Sequence, residues 1–234
     1  MGSNRRAEHP RDTACAGVQS VLMSTPVTMY FDATCPFAWV TSRWLKEVEK
    51  VRDIDLSYSP MSLAVLNEGR DELPEEYRNA MEAAWGPALV AAALQLKEPA
   101  KVDAYYTAIG TLIHDRGEGH KQGSGAYDEL VASALADAGA DASYLDYAHK
   151  RGSEEGSVEA DLRDFQEKAM EKVGNDVGTP VVELGGHAFF GPVITRVPKG
   201  EEAGALFDAA VTLGSYDHFF ELKRSRTEGP DATI

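Results

Sequence analysis

The sequence is poor in cysteine, in basic residues and in long apolar runs, and each shortage excludes a class of protein. Only Cys15 and Cys35 occur in 234 residues, too few for a disulfide framework, which predicts a reducing, cytoplasmic location. The 38 acidic residues outnumber 23 basic ones, and the net charge of −15 repels a phosphate backbone. The longest low-polarity run, residues 87–96, is far shorter than the roughly 20 residues of a membrane span. We therefore predict binding to neither nucleic acid nor membrane.

Common cofactor motifs are missing as well. The chain contains no Gly-x-Gly-x-x-Gly segment, no P-loop and no flavin fingerprint. His114 and His120 flank a glycine-rich segment, but their spacing matches no standard metal pattern and no second cysteine lies near them. We therefore predict neither a metal nor a flavin.

The first 24 residues are polar and irregular, although they carry the pair Arg5-Arg6. Both a twin-arginine signal and a lipoprotein signal ending at Cys15 need a continuous apolar stretch, and this segment has none. We expect residues 1–24 to be a disordered leader, with Met23 as a natural start.

The remaining chain has 43% hydrophobic residues, enough for one large domain or a domain with a sizeable insertion. It opens with a β-α-β pattern. Apolar and β-branched residues predict a strand over 27–31, Pro36 suits the first turn of a helix that reaches about Val51, and alternation predicts a second strand over 54–59. Cys35 thus lies at the first strand-to-helix turn.

The middle of the chain has hardly a strand signal and predicts an all-helical insertion. Proline and acidic residues start a helix at Leu73, which we expect to be interrupted around Gly86-Pro87. Further predicted helices cover 102–115, 126–138 and 142–150, with a glycine-rich loop over 115–125.

Strand signals return after a predicted helix over 158–173. Two short strands, 181–184 and 187–190, are joined by the hairpin turn Gly185-Gly186. A final helix over 201–213 leads into the aromatic and basic segment 216–226, which we expect to pack back on the domain. The predicted order is β-α-β, a helical insertion, then α-β-β-α.

The chemistry is expected at Cys35. The unsatisfied N–H groups and dipole of a helix N-terminus favour a thiolate, so the position predicts a lowered pKa and a nucleophile. The alternative is a buried, inert cysteine. A dithiol site needs a second cysteine three residues later, where this chain has Ala38.

The element order resembles the thioredoxin fold with a helical insertion, as in the DsbA and kappa-class glutathione transferase group. The runs CPFAWVTSRWL, DVGTPVVELGGHAFFGPV and SYDHFFELKRSRTE closely resemble mycothiol-dependent nitroreductases, DsbA-like bacterial proteins that use mycothiol in place of glutathione. The likeness extends from about Thr25 to Glu228. It implies an α/β, thioredoxin-like fold in which the domains are divided as follows: thioredoxin-like domain 25–66 and 154–228, helical lid 67–153, and tail 229–234.

The family motif is Cys-Pro-Trp-Cys followed by Trp. This chain keeps Cys35, Pro36 and Trp39, but has Phe37 and Ala38 at the two positions between Pro36 and Trp39. Trp39 either floors the site or packs in the core of the helix.

The resemblance supplies the other candidate site residues. It implies that the Thr179-Pro180 bond is cis and lies beside the nucleophile, where Thr179 offers its backbone to an extended thiol substrate. It also suggests that Asn67, Arg70 and Tyr77 face the pocket for the thiol or the electron acceptor.

These residues predict an enzyme with a monothiol cycle. Mycothiol, or another low-molecular-weight thiol, would load and unload Cys35 and serve as electron donor for a mixed disulfide or an electrophilic or nitroaromatic compound. Cys15 is a poor resolving thiol because it lies in the leader. Two alternatives remain: a kappa-like thiol S-transferase or isomerase, in which the bound thiol is the nucleophile, and a non-catalytic thioredoxin-fold binding module.

Overall fold

A four-stranded sheet in the order β2-β1-β3-β4 forms one layer of the protein. The computed structural model describes residues 24–233, so the predicted leader with Cys15 lies almost entirely outside the described residues. β1 pairs in parallel with β2 and antiparallel with β3, and β3 pairs antiparallel with β4. The strands are β1 Thr25–Phe31, β2 Ile54–Pro60, β3 Val181–Leu184 and β4 His187–Phe190.

Three helices, α1, α6 and α7, contact the strands of the sheet. α1 covers Pro36–Val48, α6 Glu159–Val173 and α7 Gly200–Gly214. Proline occupies the first turn of α1, and Trp44, Leu45 and Val48 are buried on its inner face. The helix ends three residues before the predicted boundary at Val51, which is within the usual uncertainty of a helix end.

Residues 61–180 contain no strand, in agreement with the predicted helical insertion. The helices of this segment are α2 Leu63–Leu66, α3 Glu75–Lys97, α4 Val102–Gly110 with a π-helical continuation Thr111–Asp115, and α5 Asp128–Asp137, with 3-10 helices at Pro99–Lys101 and Ala142–His149. The division into a lid and a thioredoxin-like domain remains a prediction. No helix among the described residues has the length and apolar character that crossing a bilayer requires.

The predicted interruption of α3 at Gly86-Pro87 is wrong. The helix continues through Pro87, although the proline ring removes one backbone hydrogen bond. The surrounding turn is buried, and the Tyr105 hydroxyl donates a hydrogen bond to the Pro87 carbonyl at 3.2 Å. Tertiary packing thus maintains a helix that local propensity disfavours.

The insertion and the sheet share one hydrophobic core. Tyr106 of α4 stacks on Phe31 of β1, with ring centroids 3.8 Å apart, and contacts Trp39 of α1 edge to face. Burying such aromatic surface is strongly favourable, so these contacts hold α4 against the end of β1 where Cys35 follows.

The segment after α7 packs back on the domain near its start and again from Arg226 onward, but not in its middle. Phe219 contacts Phe189, and Glu228 forms a salt bridge with Arg196 at 3.0 Å. Between these contacts Phe220 and Leu222 are 82% and 81% exposed. The expectation that the whole segment packs back is therefore wrong for its middle.

Candidate functional site

A buried carboxyl group shapes the turn between β1 and α1. One oxygen of Asp32 accepts hydrogen bonds from the Thr34 backbone N–H at 2.7 Å and from its hydroxyl at 2.6 Å. The other oxygen accepts from the Leu63 N–H at 2.7 Å, at the start of α2. Burial raises the pKa of Asp32, and these hydrogen bonds partly offset the effect. Asp32 therefore fixes the loop before Cys35 and ties it to the start of α2.

Cys35 and the Thr179-Pro180 peptide meet as the resemblance implies. Cys35 is the N-cap residue of α1, and its thiol donates a hydrogen bond to the Thr179 carbonyl across 3.5 Å. The Thr179-Pro180 bond is cis, as predicted. Residues separated by more than 140 positions in the sequence thus form one site.

The predicted lowering of the Cys35 pKa is wrong in direction. Burial is the largest influence and raises the pKa of the thiol, and the negative charge of Asp32 acts in the same sense. Hydrogen bonds from Thr179 and from the N–H groups of Ala38 and Phe37 lower it, as expected at a helix N-terminus, but they do not outweigh burial. The position of Cys35 before a helix was readable in the sequence, whereas its 5% exposure was not.

The Thr179 hydroxyl is a donor without a partner. Within residues 24–233 its oxygen is buried and has no hydrogen-bond partner, although buried hydroxyls nearly always have one. It belongs to the residue whose backbone carbonyl accepts the hydrogen bond from the Cys35 thiol. The site therefore holds in reserve a donor that suits a thiolate.

Position 38 cannot supply a resolving thiol. Ala38 is fully buried, and Cys35 is the one cysteine among residues 24–233. Cys15 lies outside the described residues. A disulfide on Cys35 has no internal partner in the part of the chain that the structure describes.

The other motif residues face in different directions. Pro36 is exposed and Phe37 is half-buried. The guanidinium of Arg226 lies over the Phe37 ring at 4.6 Å, a cation–π contact that brings the C-terminal segment to the motif. Nothing in the sequence pattern indicated this contact.

Trp39 lies in the core, with 1% exposure, so it does not form a surface for a ligand. Its indole N–H donates to Asp115 at 2.8 Å, and its ring stacks on His114. A Cβ atom at Gly110 would lie 2.2 Å from the ring, so α4 approaches Trp39 closely only because that residue is glycine. Of the two roles considered for Trp39, the structure favours packing.

The sequence raised His114 only as a possible metal ligand, whereas the structure places it against the loop before Cys35. Its Nε2 donates to the Ala33 carbonyl at 2.9 Å, since a carbonyl oxygen only accepts. Burial lowers the pKa of His114 to about 4, so the ring is neutral at physiological pH and ties the loop before Cys35 to α4. Among residues 24–233 no three His, Cys, Asp or Glu side chains are grouped to hold a metal.

The three candidates from the insertion lie together. The Asn67 amide donates to the Tyr77 hydroxyl at 3.4 Å, and Arg70 donates to the Asn67 side-chain oxygen at 3.1 Å. Burial raises the pKa of Tyr77, and the charges of Asp32 and Cys35 raise it further, which brings Tyr77 within electrostatic range of the thiol. Asn67, Arg70 and Tyr77 thus form one hydrogen-bonded group at the end of α2 and the start of α3, and their place at the pocket stays a prediction.

Comparison with known proteins shows which family combines these features. The model of a family described as "mycothiol-dependent nitroreductase Rv2466c" matches residues 34–224, most of the chain. The chain belongs to this Rv2466c-like family. A relative from Mycobacterium tuberculosis, uncharacterized protein Rv2286c, is 28% identical over 204 residues, which cover 87% of this chain and 83% of the relative.

Solved structures agree on the fold. A periplasmic thioredoxin-like protein from Salmonella enterica serovar Typhimurium superposes with a TM-score of 0.50 at 14% identity, covering 80% of this chain and 82% of its own. A putative protein disulfide isomerase from Nitrosomonas europaea gives a TM-score of 0.51 at 12% identity, covering 81% of this chain and 98% of its own. The predicted thioredoxin-like α/β fold is confirmed, and this member of the Rv2466c-like family is a thiol-dependent oxidoreductase.

Proposed function

We propose that the protein is a mycothiol-linked reductase in which Cys35 works in a monothiol cycle. The observation that carries the proposal is the hydrogen bond between Cys35 and Thr179 at a site where the buried Ala38 occupies the place of a second cysteine. The family description names mycothiol, and a small thiol from outside is what a site with one cysteine needs for turnover.

Cys35 takes part in two thiol-disulfide exchange steps in each cycle. The Cys35 thiolate attacks one sulfur of a mixed disulfide between mycothiol and a second thiol, and the second thiol leaves with a proton. Cys35 is then released as thiolate when a second molecule of mycothiol attacks the mycothiol sulfur bound to it. The sum is one mixed disulfide and one mycothiol converted into one free thiol and mycothiol disulfide, so Cys35 ends unchanged.

Three groups support the thiolate in this cycle. The N–H groups of Phe37 and Ala38 lower the pKa of the sulfur against the effect of burial, and Thr179, whose carbonyl accepts from the thiol, also carries an unpartnered hydroxyl that can donate to a thiolate. An orphaned donor beside a buried nucleophile fits a thiol cofactor whose sulfur must reach Cys35. We assign Thr179 and Pro180, with Pro36 and Phe37, to the thiol-binding surface, and Asn67 and Tyr77 to its α2 side.

With an electrophilic or nitroaromatic acceptor in place of the mixed disulfide, two mycothiol molecules are oxidised to mycothiol disulfide, and the two electrons and two protons that they release reduce the acceptor. Mycothiol is then the reducing substrate, and the acceptor occupies the site bordered by Tyr77. A cytoplasmic location, predicted from the low cysteine content, suits a cycle that needs a reduced thiol pool.

Mass spectrometry of the intact protein tests the cycle. We expect wild-type protein incubated with mycothiol disulfide to gain one mycothiol on Cys35, and reduced mycothiol to remove it. Cys35→Ser should gain none and lose turnover, whereas the matched control Cys15→Ser should behave as wild type.

Other outcomes select the alternatives. Full turnover by Cys35→Ser would show that the monothiol mechanism is wrong. Thiol conjugation by that variant would identify a kappa-like transferase, and absence of both activities in wild type would identify a binding module.

A further inference from the structure

Residues 220–226, which follow α7, form an uncovered surface that is both apolar and basic. Phe220 and Leu222 are 82% and 81% exposed, and Lys223, Arg224 and Arg226 are exposed as well. This short segment has three basic residues and one acidic residue in a chain whose net charge is −15. Exposed apolar side chains that lie together mark interaction surfaces in soluble proteins.

The 220–226 segment lies between the two halves of the Cys35 site. Just before it, Phe219 contacts Phe189 of β4, whose partner strand β3 follows Pro180 directly. At its end Arg226 lies over the ring of Phe37 at 4.6 Å, in the first turn of α1. The segment thus leads from the hairpin after the cis proline to the helix that begins after the reactive cysteine. A molecule bound along it lies beside the thiol.

The backbone of this segment is free to pair with another chain. Within residues 24–233 no hydrogen bond joins a backbone group of residues 220–228 to the rest of the protein, whereas Phe219 and Asp231 on either side form such bonds. A row of free N–H and C=O groups is a template for an extended strand of a partner. A lipid surface could use the side chains of the segment but not both kinds of backbone group, so the features together fit a polypeptide.

Charge and accessibility narrow the kind of polypeptide. The basic residues favour acidic side chains on the partner, and Phe220 and Leu222 favour apolar ones. Seven residues reach at most about 25 Å, which suits a stretch of chain rather than a small compound. Cys35 is 5% exposed, so a flexible segment reaches it more readily than the surface of a folded protein. A second copy of this chain is disfavoured because both copies carry a charge of −15.

We propose that residues 220–226 bind a flexible, acidic and apolar polypeptide segment whose cysteine carries mycothiol in a mixed disulfide. This inference rests on the proposed function and names its substrate class. The Cys35 thiolate forms a disulfide with the mycothiol sulfur, and the polypeptide cysteine leaves as a thiolate that takes up a proton. A second mycothiol then releases Cys35. One mixed disulfide and one mycothiol thus give one polypeptide thiol and one mycothiol disulfide.

Kinetics with a peptide and a small substrate test the surface. The peptide Glu-Val-Glu-Val-Cys-Val-Glu-Val-Glu and free cysteine are each joined to mycothiol in a mixed disulfide. We expect the double variant Phe220→Ser/Leu222→Ser to lower the ratio of kcat/KM for the peptide to that for cysteine about tenfold, because two apolar contacts are lost. The matched control is Leu96→Ser, an exposed leucine at the end of α3, which should leave the ratio unchanged.

Reversal of charge gives a readout that a merely structural role of the segment would not move. Lys223→Glu/Arg224→Glu should reverse the preference of the enzyme, so that a peptide with lysine in place of every glutamate becomes the better substrate. Lys50→Glu is the matched control, since Lys50 follows the far end of α1, about 20 Å from Cys35, and its replacement should preserve the preference. An unchanged preference in the double variant would overturn the inference.

A binding measurement separates this inference from the catalytic cycle. Fluorescence anisotropy with the labelled glutamate peptide, in which serine replaces cysteine, should show about tenfold weaker binding to Phe220→Ser/Leu222→Ser than to wild type. Equal binding to both proteins, or an unchanged kinetic ratio, would overturn the inference. Binding of this peptide by a wild type that reduces neither disulfide would overturn the monothiol cycle but support peptide binding by the segment.

Two further measurements identify other occupants of the surface. Sedimentation velocity should show the same oligomeric state for wild type and for Phe220→Ser/Leu222→Ser, and neither protein should sediment with phosphatidylglycerol vesicles. A dimer that only wild type forms would assign the surface to a second copy and overturn the inference. Vesicle binding that only wild type shows would assign it to a membrane, with the same consequence.

Discussion

The Cys35 site and the surface between α2 and the start of α3 differ in how far their polar groups are exposed. Around Cys35 the groups are buried and mostly backbone: the carbonyl of Thr179, N–H groups of α1 and the enclosed Asp32. The α2–α3 surface carries three arginines and three carboxylates, and five of these six side chains are exposed: Arg70, Arg78, Glu68, Asp71 and Glu82. The reactivity of Cys35 therefore depends on a few enclosed groups, which a single substitution can change without altering the charged surface.

A second thiol introduced at position 38 should have the largest effect on the chemistry of the Cys35 site. In Ala38→Cys the introduced thiol has the Cys-x-x-Cys spacing and can attack the Cys35 sulfur of a mycothiol adduct. Because that attack is intramolecular, we expect the adduct to decay at least about 100-fold faster without added thiol. Rapid quenching followed by mass spectrometry measures the decay.

Ala38→Ser is the matched control, since it adds a group of similar size without a resolving sulfur. It should keep a long-lived adduct. If the Ala38→Cys adduct is equally stable, the side chain at position 38 does not reach Cys35 and the missing cysteine does not explain the monothiol cycle.

The buried side of the comparison also predicts a dependence of stability on pH. Burial lowers the pKa of His114 to about 4 from an ordinary value near 6.5, so the unfolded chain binds more protons between these values. The stability that neutral His114 provides is complete above pH 6.5. It decreases as the pH falls below 6.5 and is lost once the pH has fallen through 4. The free energy of unfolding should decrease by up to about 3 kcal/mol over that range on account of this residue.

Urea unfolding of wild type and His114→Gln at several pH values isolates this contribution. Glutamine keeps a donor for the Ala33 carbonyl and does not titrate, so the difference in stability between the two proteins should shrink as pH falls. Parallel pH profiles would show that His114 is not buried in the neutral form.

A smaller effect is expected from the donor beside the thiol. Thr179→Val removes the hydroxyl that lowers the pKa of Cys35, so the pKa should rise further. Alkylation by iodoacetamide at pH 8 should slow by about tenfold, the value of one hydrogen bond to a charged group.

The control for this change is Thr212→Val, whose hydroxyl donates to the Asp208 carbonyl within α7. Its alkylation rate should equal that of wild type. Equal alkylation rates for the Thr179 variant and wild type would show that the Thr179 hydroxyl does not support the thiolate.

Elements marked by strong local signals were predictable from the sequence. Alternation and Pro36 located β1, α1 and β2, and the Gly185-Gly186 turn located the hairpin of β3 and β4. The meeting of Cys35 and Thr179 was not derivable from spacing and came from the family resemblance. Local pattern identifies elements, whereas pairing across the sheet depends on topology.

Features that depend on packing escaped prediction. Pro87 continues a helix because its surroundings are buried, and the pKa of Cys35 rises because the thiol is enclosed. The contact of His114 with Ala33 could not be read from the sequence, since the partner is a backbone carbonyl far away in sequence. Each of these outcomes is set by neighbours that a linear pattern does not reveal.

The contact between Arg226 and Phe37 has a practical consequence for protein engineering. Thr195 and Arg196 hold residues 228–231, which follow Arg226 closely in the chain. A purification tag attached directly after residue 231 therefore starts a few residues from the side chain that covers Phe37, and we expect a bulky tag there to disturb this contact.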